Sequence, residues 1–148
     1  MSKKYPTPTR YKPKNPEKYR GDADKIWSRS SWEFKVMRWC DSNPNIVEWS
    51  SEEVVIPYIC KTDGRKHRYF IDFMIKVVNK EGIIKTYLVE VKPKKETLPP
   101  VPPKRKSRSY SAAVLTFAKN TSKWTYAEAY CKERGMEFMI ITEDHLGV

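Results

Sequence analysis

The sequence predicts a small mixed α/β domain, a central mixed β-sheet with flanking helices, in the order α-β-β-β-α-α-β. Three observations predict it. Apolar residues recur at helical spacing after a serine cap near residue 30, and again through residues 109–134. Between them, residues 46–92 are rich in branched and aromatic side chains that alternate at period two. A short apolar run closes the chain after a glycine stop. At 148 residues the chain suits one domain with a core of its own.

Each element has its own signal. Ser30-Ser31-Trp32-Glu33 reads as a capping box, with Ser30 as N-cap and Glu33 three residues on. Its helix should run to about residue 40, turn Trp32, Val36, Trp39 and Cys40 to the core, and stop at Asp41-Ser42-Asn43-Pro44. Residues 46–49 and 53–59 read as strands, the second at an edge because Pro57 has no amide to donate. Thr62-Asp63-Gly64 is a turn. Residues 67–78 read as one long strand, with Tyr69, Ile71, Phe73, Ile75 and Val77 on one face and Arg68, Phe70, Asp72, Met74 and Lys76 on the other. Asn79-Lys80-Glu81-Gly82 turns the chain into a returning strand over 83–92. Two helices follow, over 109–119 (with Tyr110, Ala113, Val114, Phe117 and Ala118 as a stripe) and from 122 or 125 to 134. Gly135 caps the second, and 136–142 is the last strand. Trp27, Trp49 and Trp124 read as core or docking residues.

Charge is concentrated. The chain carries 29 basic and 18 acidic residues, and residues 1–25 (net +5) and 92–108 (net +6) supply the whole excess of +11. The same two segments hold nine of eleven prolines, so both read as extended and solvated: an arm over 1–25, with Tyr5, Tyr11 and Tyr19 among lysines, and a basic Pro-rich insertion at 93–108 in a domain over 26–148. Such flanks attract a nucleic-acid backbone, although a solubilising flank or a dock for an acidic protein has the same composition. Three dispersed cysteines, Cys40, Cys60 and Cys131, exclude a disulfide scaffold and a paired-Cys zinc site, and suit a reducing compartment. No apolar run is long enough to span a bilayer, and MSKKYPTPTRYKPK does not read as a signal peptide.

The chemistry lies where the strand pattern breaks. Asp72 stands in YFIDFMI, and Glu90 and Lys92 in YLVEVKP, sharing a face two residues apart. If hairpin partners add to 162, Asp72 comes beside Glu90; a two-residue turn would give 161, so a longer loop or a bulge is expected. Neighbouring carboxylates repel, and a divalent cation with water and phosphate oxygens relieves them. Lys92 could then orient a water or neutralise charge building on phosphorus. On the residues alone two readings stand, this catalytic set or a structural Asp72–Lys92 ion pair with Glu90 facing water. Glu33 is a capping acid, a further ligand, or both. Arg29, His67 and Arg68 could hold phosphate or be solvated, and Glu53 could support the site or be an edge-strand surface acid.

Asp72 followed by Glu90-Val91-Lys92, with Glu33 on a preceding helix, resembles the PD-(D/E)xK nuclease superfamily. The wider set Arg29-Ser30-x-x-Glu33, His67-Arg68-Tyr69-x-x-Asp72-Phe73 and Val89-Glu90-Val91-Lys92-Pro93 is similar to its TnsA-type branch of transposon end-cutting endonucleases; Ile71 stands where a proline is usual. Over its length the chain, through Tyr-Lys-Pro-Lys-Asn-Pro, Trp49-Ser50-Ser51-Glu52-Glu53 and His67-Arg68-Tyr69-Phe70, resembles the head completion family of T-even-type tailed phages. The resemblance implies a restriction-endonuclease-like core and a DNA endonuclease with Glu33, Asp72, Glu90 and Lys92 catalytic and the three acids as metal ligands. It further implies Mg²⁺, with Mn²⁺ as substitute, and action after DNA packaging, in the host cytoplasm or the virion head. Double-stranded DNA and phage head or portal proteins would be the partners. Arg29, His67, Arg68, Lys94, Lys95, Lys104, Arg105, Lys106 and Arg108 are the candidates to grip DNA backbone. The alternative is a non-catalytic structural protein that binds packaged DNA or the portal region on the same scaffold.

Overall fold

The computed structural model describes residues 7–147. Tyr5 of the arm lies outside the described residues. From the N-terminal side, β1 (Thr9–Arg10) pairs antiparallel with β2 (Trp27–Ser28). The Ser30 hydroxyl accepts the Glu33 amide at 3.1 Å and opens α1 (Ser31–Ser42). Then come β3 (Ile46–Ser51), β4 (Val55–Ile59), β5 (Lys66–Phe70), β6 (Phe73–Val78) and β7 (Ile84–Val91), followed by α2 (Arg108–Glu133), β8 (Glu137–Ile141) and a last turn of helix, α3 (Glu143–Leu146). The central sheet has the order β3-β6-β7-β8, antiparallel except for β8, which runs parallel to β7. It is the expected mixed sheet with flanking helices.

Alternation along β6 and β7 makes two faces. Phe73, Ile75 and Val89 pack with Ile46 and Trp49 of β3 under Val36, Met37 and Cys40 of α1. Met74 and Leu88 point the other way, into Trp124, Ala127 and Cys131 of α2 and the Ile56, Tyr58 and Tyr69 side chains of the β4–β5 hairpin. All three cysteines are buried and none is in a disulfide.

Several expectations are corrected. The long strand over 67–78 is two strands: β5 pairs with β4, while β6 joins the central sheet, with Ile71 and Asp72 between them. The break resets the alternation, so Tyr69 and Ile71 share a core with Met74 rather than with Phe73 and Ile75. The two helices over 109–134 are one. Asn120-Thr121-Ser122 looks like a stop, but Thr121 and Ser122 donate their hydroxyls back to the Ala118 carbonyl at 3.1 and 3.0 Å, leaving the helical ladder intact. The stripe expected around Val114 covers nothing, since residues 111–116 are exposed. Trp39 is 48% exposed and Met37 is buried in its stead, because the inward face of α1 centres on the Glu33, Met37, Cys40 line. Trp27 is exposed as well, whereas Trp49 and Trp124 are core.

The described part of the arm keeps most of its side chains exposed but is anchored to the domain at a few residues. Tyr11 and Tyr19 are both buried against Trp49. Asp41, at the end of α1, accepts the Tyr11 hydroxyl and the Lys14 and Asn15 amides at 2.7–2.9 Å. Lys18 Nζ donates to the Cys40, Asp41 and Asn43 carbonyls at 2.7–3.0 Å, placing a cation on the helix C-terminus.

Candidate active site

The hairpin of β6 and β7 pairs Phe73 with Val89 and Met74 with Leu88, the register in which partners add to 162. A five-residue loop makes it, Asn79 to Ile83, in which the Asn79 side chain accepts the Glu81 and Ile83 amides and Gly82 takes φ +80°. The same register, carried one residue further, sets Asp72 opposite Glu90.

Asp72 lies in the break just before β6. Its Oδ2 accepts the Val91 amide at 2.8 Å, standing in for the ladder carbonyl that an unbroken strand would supply. The interruption thus orients the carboxylate. Glu90 is 7% exposed, and the Tyr69 hydroxyl donates to its Oε2 at 2.5 Å. Lys92 Nζ stands 4.0 Å from Glu90 Oε1, and the Lys92 amide donates to the Ile141 carbonyl at 2.9 Å, so β8 anchors the strand end. From α2, Lys123 Nζ lies 5.5 Å from the centre of the Tyr69 ring, and its charge reaches Glu90. The Trp124 indole sits beside the Tyr69 hydroxyl without meeting hydrogen-bond geometry.

The electrostatics follow from burial. Desolvation, then the charge of Asp72, pushes the Glu90 carboxyl up to about 8, against the Tyr69 hydrogen bond and the Lys92 and Lys123 charges. Desolvation raises Asp72 too, against the Val91 amide and Lys92. Glu33 is pushed up to about 7, by desolvation first and the Asp72 charge second. Burial disfavours ionisation of both carboxyls, and the Asp72 charge disfavours that of Glu90 further; a hard divalent cation would relieve such a pair. Among the described residues no three His, Cys, Asp or Glu side chains converge closely enough to hold a metal ion. Glu33 Oε1 instead faces the Arg29 amide, 3.3 Å away. Asp72 and Glu90 are the residues that would hold a divalent cation here, with oxygen donors that suit a hard ion.

The other sequence candidates are dispersed. Arg29 is engaged by Glu52, His67 by Asp63 at 2.8 Å, and Lys94 by Asp144 at 3.1 Å. Arg68 is exposed and lies over the Phe70 ring. Lys95, Lys104, Arg105, Lys106 and Arg108 are exposed, with no ion-pair partner among the described residues. Glu53 turns away to Tyr19, at 3.4 Å. Its neighbour Glu52 is the acid beside the site: its amide donates to the Asp72 carbonyl at 3.1 Å and its charge raises both Asp72 and Glu33. Sequence reasoning misses Glu52, Tyr69 and Lys123. Tyr69 stands inside the motif but strand parity assigns it to the core, and Lys123 carries no local signal.

Asp72 and Glu90, with Lys92 two residues on, thus come together at the end of the mixed sheet. The chain belongs to the TnsA-like endonuclease family, whose N-terminal domain model matches residues 43–143; Asp72, Glu90 and Lys92 lie inside that span, Arg29 and Glu33 before it. That membership is consistent with a restriction-endonuclease-like core. The head completion nuclease of Enterobacteria phage T4 is 43% identical over 138 residues, 90% of this chain and 89% of that protein.

Proposed function

We propose that the chain is a Mg²⁺-dependent DNA endonuclease acting in phage head completion, in the host cytoplasm after DNA packaging. The observation that carries it is the buried Asp72–Glu90 pair with Lys92 Nζ 4.0 Å from Glu90. The family and the T4 relative support the nuclease reading; the name of that relative supports head completion, with head or portal proteins as partners.

In this reading the Val91 amide holds Asp72 and the Tyr69 hydroxyl holds Glu90, so both carboxylates are positioned before substrate arrives. A Mg²⁺ bound there, or Mn²⁺ in its place, would supply Lewis-acid charge to the scissile phosphate. Lys92 orients the attacking water and offsets charge developing on the phosphate. Glu33, held in reserve by the Arg29 amide, faces Asp72 as a further acid. Lys95, Lys104, Arg105, Lys106, Arg108 and Arg68 attract duplex backbone without reading sequence; Arg29, His67 and Lys94 join by exchanging their internal partners. Among the described residues no helix is long and apolar enough to cross a membrane.

Supercoiled plasmid with Mg²⁺ tests this. Wild type nicks it, and Lys92→Ala or Asp72→Ala abolishes nicking while duplex binding stays. Binding without cleavage in either Mg²⁺ or Mn²⁺ would overturn the enzyme reading in favour of a structural role on the same scaffold.

A further inference from the structure

The Arg29 guanidinium and the Glu52 carboxylate meet fork to fork, Nε to Oε1 at 2.7 Å and Nη2 to Oε2 at 3.2 Å. This is how arginine receives a phosphate. Both groups are half-exposed, with 54% and 32% of their side-chain surface open, so a ligand can reach the pair. The pair sits on the rim of the candidate site: Arg29 carries the amide that faces Glu33 and the charge that reaches Asp72, and the Glu52 amide bonds the Asp72 carbonyl. Glu52 is also the one non-glycine residue with positive φ among the described residues, at +56°. A side chain there is strained, so the position holds a backbone conformation that a non-glycine residue rarely adopts.

We propose that Glu52 is an internal stand-in for a DNA backbone phosphate, filling a phosphate site on Arg29 that the duplex takes over when it docks. The inference rests on the DNA-handling reading of the site and deepens it. Exchange conserves the pairing of Arg29, which offsets part of the cost of opening the latch on DNA. It also leaves the Glu52 charge unpaired beside Asp72 and Glu33, where it would favour a cation. Off DNA, Arg29 is quenched and the rim of the site is neutral, which lowers affinity for stray anions.

The test is duplex binding in EDTA, where nothing is cut, across a four-member set: wild type, Glu52→Gln, Arg29→Ala and the double variant. Arg29→Ala should weaken binding and Glu52→Gln should tighten it, each by roughly 3- to 10-fold, the range of one partly screened charged contact. In the Arg29→Ala background the Glu52→Gln gain should shrink to less than about twofold, the residue of plain charge removal. Glu52→Gly is the second variant, because glycine accepts φ +56°; it should tighten binding like Glu52→Gln without lowering the melting temperature. Equal tightening by Glu52→Gln with and without Arg29, in a protein that binds duplex, would overturn the latch and leave the nuclease reading standing. No duplex binding by wild type at low salt would overturn both.

Discussion

The Tyr69 hydroxyl donates a 2.5 Å hydrogen bond to Glu90 Oε2, joining the β4–β5 hairpin to the central sheet at the carboxylate pair. One Glu90 oxygen is thereby spent on Tyr69, and the other faces Lys92. Tyr69→Phe keeps the ring in the core and removes this bond alone. Groups that orient a metal ligand usually contribute about 10- to 100-fold to affinity or rate. The expected result is a loss of nicking of that order, with the half-saturating Mg²⁺ concentration raised and the fold intact by circular dichroism.

Stability should depend on pH with a definite sign. Glu90 is raised to about 8 and Glu33 to about 7, so between the ordinary carboxylate range and pH 8 the folded chain holds more protons than the unfolded one. Their contribution is fully present at acid pH and is lost as pH rises through these values. In EDTA the melting temperature should fall from about pH 5 to about pH 8. Excess Mg²⁺ should flatten the fall, since a bound cation would compete with protonation of Asp72 and Glu90, and Glu90→Gln should flatten it without metal.

Asp41 carries the opposite sign. Its burial would raise it, but the Lys14 amide, Tyr11 hydroxyl and Asn15 groups hold it below its usual value. Its support is present at neutral pH and is lost as pH falls through that depressed value. Asp41→Asn should lower stability by about 2–3 kcal/mol at neutral pH, the scale of hydrogen bonds to a buried charge. A urea titration measures the loss.

The basic insertion is testable through salt. Replacing Lys104, Arg105, Lys106 and Arg108 by alanine should weaken duplex binding uniformly across sequences. The slope of log affinity against log salt should drop by about 3 to 4, roughly 0.9 for each phosphate that these side chains neutralise.

Local chemistry was legible in the sequence and long-range exchange was not. Ser30 announces α1 because a cap needs only its own neighbours, and the 162 register followed from asking which pairing brings Asp72 to Glu90. The break at Ile71–Asp72 was hidden: its aromatic and branched neighbours favour a strand on both sides, and only the sheet order shows that the chain changes partners there. The arm misled for a similar reason. Lysines and prolines look solvated until Asp41 and the open carbonyls of α1 claim Tyr11, Lys14 and Lys18. Of the site, Asp72, Glu90 and Lys92 could be read from two short motifs, whereas Lys123 reaches Tyr69 only because α2 crosses that face of the sheet.

A crystal soaked in Mn²⁺ and measured at the manganese absorption edge goes straight to the carboxylate pair. Anomalous density between Asp72 and Glu90, within coordination distance of an oxygen from each and beside Lys92, is the expected result, and it should vanish in Asp72→Ala. A protein that cleaves DNA with manganese bound elsewhere, and with Asp72 and Glu90 still bonded only to Val91 and Tyr69, would contradict it.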